Sequence, residues 1–357
     1  MIASAPDLTA NDNCSPERIA DLAKELSHKL VRAFGRIQTI NDQSRILSLN
    51  AQIEAQRSGT AGAAFSVVAA EMRQLSSATT VVAGQVSQEV HSAIDELQNI
   101  SEALATNVRG TRLSDLALTN IDLIDRNLYE RSCDCRWWAT DSSLVTALSS
   151  RSPSDYQFAS MRLGQILDSY TVYLDLVLAN LDGAIVANGR PRQYASVGTR
   201  HADAAWFRTA KASSNGSEFG FQTAHVSPLV NNQKALVYSC GVRENGDVNG
   251  QLMGVLGIVF NWDALAQTIV MNCPLSADER QRARVCIVDD RGQVLADSRN
   301  EQLGSPLEIH HQDELFAGKK DFVITTVSGK KCIVAHAAAP GFETYTTGWH
   351  SVIILEL

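Results

Sequence analysis

Asn50, Glu54 and Arg57 recur at steps of four and three residues, the spacing that places side chains on one face of a helix. An amide, a carboxylate and a guanidinium aligned in this way can make directional contacts with a neighbouring chain; the plainer alternative is a solvated polar stripe. Cys133-Asp-Cys135 is a second candidate, as a redox or metal pair. One intervening residue on a helix turns the two thiols about 200° apart, and no second pair completes a zinc site. Structural cysteines are therefore expected. His310-His311 reads as a solvated loop pair. Nucleophile elbow, Gly-rich phosphate loop and His-Glu metalloprotease helix are all missing from the sequence. We expect no enzyme activity, no catalytic residues, no metal and no cofactor.

The elements that must carry these residues follow from composition and period. The chain has 357 residues, enough for two or three domains, with 31 Lys and Arg against 39 Asp and Glu. A net charge of -8 argues against nucleic-acid binding, which needs a clustered basic face. The longest apolar run, Leu252 to Trp262, is too short to span a bilayer. The N-terminus lacks a signal core, and seven cysteines in a chain this long favour a reducing compartment. A soluble, cytoplasmic protein is predicted.

No proline falls between Pro16 and Pro153. Proline costs roughly 3 kcal/mol inside a helix, so long helices are permitted there. Ser15-Pro16-Glu17 is a helix start signal. Ile19, Leu22, Leu26, Leu30, Ala33, Ile37, Ile40 and Leu47 then form an apolar seam of coiled-coil type. A second seam comprises Leu75, Val82, Val86, Ala93, Leu97, Ile100 and Leu104. Between them Ser58-Gly-Thr-Ala-Gly62 can reverse the chain. Two arms of some forty residues would each be about 60 Å long, and self-association is expected. The pattern remains helical from Gly110 to Ser149, with Trp137-Trp138 expected to pack between helix and sheet, and Pro153 starts a further helix.

Beyond residue 172 the period changes. Tyr173–Asn180, Ala184–Asn188, Ala235–Cys240 and Leu252–Phe260 read as strands, with Asp182-Gly183 and Asn245-Gly246 as hairpin turns. Leu181–Asn188 is echoed 109 residues later by Asp290–Asp297, and Lys234–Cys240 more loosely by Lys331–His336. That repeat suggests two similar modules, closed by a last strand at Trp349–Leu355.

The run Gln43–Leu75, with its Gly59 and Gly62, resembles the kinase-control tip of methyl-accepting chemotaxis receptors. The resemblance implies that Leu49, Asn50, Glu54 and Arg57 lie where receptor dimers meet. It also implies that Ile53, Val67 and Val68 lie near the face offered to a coupling adaptor and a histidine kinase. The chain departs from the family at Thr60, where an acid is usual, and at Ala63-Ala64, where Arg-Gly precedes the Phe. Glu/Gln-rich methylation segments are not recognisable on arms this short.

Residues from about Leu113 to the end resemble a double Cache domain, a long leading helix followed by two PAS-like modules. Asp182-Gly183, Ala205-Trp-Phe and Gly254-Val-Leu-Gly-Ile-Val carry that resemblance. It implies a small-molecule ligand, with Trp206, His225, Tyr238 and Asn261 as pocket candidates. The amino-acid-binding subset differs at Ala204, Leu229, Asn231 and Val259, so no amino-acid ligand is assigned.

The expected fold class is α+β: a flexible N-terminus (1–14), an antiparallel helical hairpin (15–110) and a double Cache-like sensor (111–357). Within the sensor, helices occupy 111–175, the first antiparallel-sheet module 171–272 and the second 283–357. The expected function is a soluble receptor-like transducer, not a full transmembrane receptor, that senses a cytoplasmic small molecule. It would act as a dimer on a chemotaxis histidine kinase and its adaptor. The alternative is a scaffold that joins receptor arrays without controlling the kinase.

Overall fold

The computed structural model describes residues 16–299, 303–310 and 312–357, and separates into two compact units, Met1–Arg109 and Gly110–Leu357. The cap Ser15, the segment 1–14 and His311 lie outside the described residues.

In the first unit, helix α1 (Pro16–Arg57) leads through a 3-10 turn (Gly59–Gly62) into α2 (Ala63–Trp138). The antiparallel register is pinned by buried polar groups: Ser76 Oγ donates to the Asn41 carbonyl at 2.9 Å, and Asn41 Nδ2 donates to Thr80 Oγ1 at 3.4 Å. Such groups specify register at some cost in stability. The hairpin interface is formed by residues outside the two apolar seams. Its buried positions are Ala23, Asn41, Ser48 and Ala55 on α1, facing Gly62, Ala69, Ser76, Ile94 and Ser101 on α2. Most are small, at seven-residue steps. The large apolar side chains point outward instead; Leu47 is 61% and Leu75 is 69% exposed. Two apolar stripes existed, but the small-residue stripe between them is the one that closes the hairpin.

The second unit holds two five-stranded antiparallel sheets. The first contains β1 (Tyr173–Asn180), β2 (Ile185–Asn188), β3 (Gly220–Ser227), β4 (Gln233–Arg243) and β5 (Leu252–Asn261), in the order β2-β1-β5-β4-β3. The second contains β6 (Ala283–Val288), β7 (Val294–Asp297), β8 (Lys320–Val327), β9 (Lys330–Ala338) and β10 (His350–Glu356), in the order β7-β6-β10-β9-β8. The order is the same, and the 109-residue repeat holds residue by residue. Val177 pairs with Asn188 as Cys286 pairs with Asp297, and Gly183 and Gly292 both take a φ of +77° in the turns. Asn245 and Gly246 also adopt positive φ, but within a longer loop that begins with a 3-10 turn at Glu244–Gly246 and joins β4 to β5, not in a tight two-residue hairpin. The edge strands β3 and β8 carry Gln, Thr, His and Lys on a half-solvated face, so no clear apolar run marks them in the sequence.

Helices α3 (Ser142–Ser150) and α4 (Pro153–Ser169) follow α2, capped by Asp141 and Ser152, and α5 (Ala205–Lys211) follows β2. Leu113, Ile121, Ile124 and Leu128 of α2 pack with Leu144 and Leu163 against Leu176, Leu236, Tyr238 and Ile258. The opposite sheet face carries Val177, Val237 and Val259 against Trp206 and Phe207 of α5. Burying each such side chain contributes about 1.5–3 kcal/mol. α2 runs through Gly110, where the missing Cβ leaves room for the Phe322 ring. Trp138 packs on Tyr170 and Tyr173, whereas Trp137 projects outward, 69% exposed, contrary to the packing role expected for both.

The β9–β10 loop is held by the buried Asp125 of α2. Its carboxylate accepts from Gly341 N at 2.9 Å, Thr347 N at 3.1 Å and Thr347 Oγ1 at 2.7 Å. Burial raises its pKa against the pull of those hydrogen bonds. Asp125→Ala would strand two backbone donors, so we expect a loss of about 2–3 kcal/mol. Urea midpoints measure it; a loss under about 0.5 kcal/mol, the size of an ordinary surface change, would show that the loop does not depend on this grip.

Candidate functional site

The hairpin apex is built by two glycines. Gly59 takes a φ of +59°, and Gly62 sits so tightly on Ala55 that a Cβ would lie 2.8 Å from the Ala55 carbonyl carbon. Around this apex Leu49, Asn50, Ile53, Glu54, Arg57, Val67 and Val68 are all exposed or half-exposed in the chain. Ile53, Val67 and Val68 give the apex apolar area, and Glu54 pairs with Arg57 at 3.5 Å on the helix surface. Exposed pairs of this kind add little stability. Their carboxylate and guanidinium remain open to another chain.

The four sensor candidates do not converge. Trp206 is buried on the α5 face of the first sheet, its ring 3.1 Å from where a Gly257 Cβ would be, and its carbonyl accepts from Ser239 Oγ at 2.6 Å. His225 and Asn261 both pair with Ala235, in one row across β3, β4 and β5. His225 Nδ1 donates to the Thr223 carbonyl at 2.8 Å, and burial lowers its pKa. Asn261 Oδ1 accepts from Ala264 N at 3.2 Å, a capping role for the turn after β5. Tyr238 lies on the opposite face, where its hydroxyl meets that of Tyr345 and ties the two modules together. Trp262, whose Nε1 donates to the Leu295 carbonyl at 2.6 Å, adds a second tie.

The α5 face holds a buried acid that sequence reasoning passed over. Asp175 accepts from Leu176 N at 2.8 Å, Asn188 Nδ2 at 2.8 Å and Arg190 N at 3.0 Å. Burial pushes its pKa up to about 6 despite those donors. Its signal was available: a single carboxylate inside the apolar run Tyr173–Asn180. Among the described residues no cluster of three or more His, Cys, Asp or Glu could hold a metal ion. No described helix is long and apolar enough to cross a membrane.

Comparison with known proteins divides along the same line. Residues 12–123 match the methyl-accepting chemotaxis protein (MCP) signalling domain family. The chain is 42% identical over 80 residues to the methyl-accepting chemotaxis protein CtpM of Pseudomonas aeruginosa, covering 22% of this chain and 14% of CtpM. It is 39% identical over 77 residues to the sensory transducer protein YfmS of Bacillus subtilis, covering 21% of this chain and 27% of YfmS. The matches thus span about a quarter or less of these relatives' length. In structure, the chain is similar to the sensor domain of the Vibrio cholerae histidine kinase DctB, with a TM-score of 0.53, 14% identity, and 72% of this chain and 98% of that one covered. The sensory domain of the Campylobacter jejuni chemoreceptor Tlp3 gives a TM-score of 0.51 at 14% identity, covering 70% and 94%. At such identity the likeness establishes the fold, a double Cache arrangement.

Proposed function

We propose that this chemoreceptor-like chain, an MCP-type signalling hairpin joined to a double Cache unit, senses a small cytoplasmic molecule and modulates a chemotaxis histidine kinase through its hairpin tip. The observation that carries this reading is the exposed apex, where Ile53, Val67 and Val68 surround the Glu54–Arg57 pair on a Gly-bounded turn. An unpartnered apolar patch rimmed by polar groups is suited to a protein partner. The coupling adaptor and the kinase are the partners proposed. A second copy of the chain is proposed to cover the outward apolar stripes, including Leu47 and Leu75, giving a dimer.

The cytoplasmic assignment is supported by α2. Between the apex and the first sheet this helix carries Glu89, Asp95, Glu96, Glu102, Arg109, Arg112 and Asp115, a charge density incompatible with a bilayer core. Tip and sensor then share one compartment. A ligand can act on the tip only through its difference in affinity between two states of the chain, and a small helix displacement is the proposed output.

Replacing Glu54 with Ala is expected to weaken co-sedimentation with purified adaptor and kinase by about tenfold, the scale of an interface hot spot. The sensor's thermal transition should not move. Unchanged co-sedimentation would sink the tip assignment. One observation favours the scaffold reading: Thr60, Ala63 and Ala64 stand where the family carries charged or Gly residues. Kinase assays decide it, because a scaffold would co-sediment and leave phosphorylation unchanged with or without the sensor unit.

A further inference from the structure

We propose that the cleft between the end of α2 and the first sheet is a binding site for a small monocarboxylate with an apolar body. This cleft is separate from the α5 face, and the inference does not depend on kinase control. Its volume is about 350 Å³, enough for a small metabolite. Cys133, Arg136 and Trp137 of α2 form one wall, and Cys240, Arg243 and Val248 form much of the other.

Two guanidiniums supply the charge. Arg243 is only 7% exposed; its Nη1 donates to the Gly250 carbonyl at 3.0 Å and its Nη2 to the Ser213 carbonyl at 2.8 Å. Its Nε, however, is buried without a hydrogen-bond partner. That atom has no accessible surface, so a ligand in the cleft would meet the charge of this cation rather than its Nε. Arg136 donates through Nε to the Ser132 carbonyl at 2.8 Å and through Nη2 to Ser132 Oγ and Cys133 Sγ, each at 3.4 Å. Neither guanidinium forms a salt bridge with a carboxylate among the described residues. Glu218 feels the charge of Arg243, but its oxygens accept from Ser214 N and Oγ. A carboxylate entering the cleft would supply the missing countercharge, and guanidinium–carboxylate hydrogen bonds are among the strong ones.

The rest of the lining sets the class of ligand. Asp247, exposed at the cleft, disfavours a second negative charge. Trp137, Ala139 and Val248 offer apolar contact, and the Cys240 thiol, pushed up to about 11 by burial, stays neutral. Trp137 is the exposed one of the five tryptophans; Trp138, Trp206, Trp262 and Trp349 are buried. An exposed indole beside two cations offers a ligand's apolar body a face to rest on.

Benzoate, hexanoate and indole-3-acetate, each with its uncharged amide, can be titrated into the full chain by calorimetry. At least one carboxylate should bind saturably and about tenfold or more tighter than its amide, as a charge-assisted contact requires. Arg136→Gln should weaken that binding about tenfold, and Arg136→Lys, which keeps the charge, should restore part of it. With benzoate or hexanoate, tryptophan emission should respond in the native chain and far less in Trp137→Phe, whose affinity calorimetry measures separately. Circular dichroism checks that each variant is folded. The proposal is overturned if none of the three carboxylates binds saturably, if amide and acid bind alike, or if folded Arg136→Gln keeps full affinity.

Discussion

Gly62→Ala is expected to open the hairpin apex and abolish its partner contacts. The added Cβ would collide with the Ala55 carbonyl oxygen and come within 2.8 Å of its carbon and 2.9 Å of its Cα. These are backbone atoms, so no rotamer change relieves the overlap. Ala55 is itself buried in the hairpin interface, and the turn must move away from α1. Overpacking of this kind costs about 1–3 kcal/mol. The shift separates Ile53, Glu54 and Arg57 from Val67 and Val68, which together form the surface proposed to meet the partner. Gly84→Ala is the matched control. It lies inside α2 with nothing within 4 Å of the added Cβ, so the change should stabilise the helix by about 0.8–1 kcal/mol. Hydrogen exchange at the apex and co-sedimentation with adaptor and kinase provide the readouts. Equal behaviour of the two variants would contradict the role given to Gly62.

The second module is expected to lose stability on acidification, through two buried histidines. His336 and His350 lie on β9 and β10 and stack with each other and with Phe316 of the helix Gln312–Ala317. Both ring nitrogens of His336, and Nδ1 of His350, are buried without hydrogen-bond partners. Burial, aided by His350, pushes His336 down to about 4, while Asp321 pulls the other way; burial also lowers His350, opposed by Asp290. A lowered histidine pKa means that the unfolded chain binds more protons from about pH 6.5 downwards. Stability therefore falls as pH drops through the window from about 6.5 to about 4, by about 3 kcal/mol from His336 alone.

Asp175 works in the opposite sense. Its folded-state pKa is raised to about 6, so its ionisation costs stability as pH rises from about 4 through 6, and acid relieves that cost. The total profile is a difference between the two. Comparing the native chain with His336→Phe isolates the histidine term, since phenylalanine keeps the ring stack and cannot protonate. Urea unfolding at about pH 7.5 and pH 5 should show a markedly smaller acid loss in the variant. An identical loss in both chains would remove His336 as the cause.

Periodicity and turn chemistry in the sequence alone determined the helical hairpin, the Gly-bounded apex, the change to strands after residue 172 and the 109-residue duplication. These are local properties: a 3.6-residue or 2-residue period, a proline gap, an Asp-Gly or Asn-Gly turn. What lay beyond local pattern was which element covers which face. Residues Ala235–Arg243 of β4 are all buried, so no alternation marks Tyr238 as facing α2 and Trp206 as meeting the other side. The same holds for the hairpin, where apolar and small-residue stripes share one helical period and only packing selects the stripe that closes. Asp175, Asp125 and the Arg136–Arg243 cleft gain their character from groups up to 222 residues away in the chain. Burial and countercharge are properties of the assembled tertiary structure, because desolvation depends on everything that surrounds a group rather than on its neighbours in sequence.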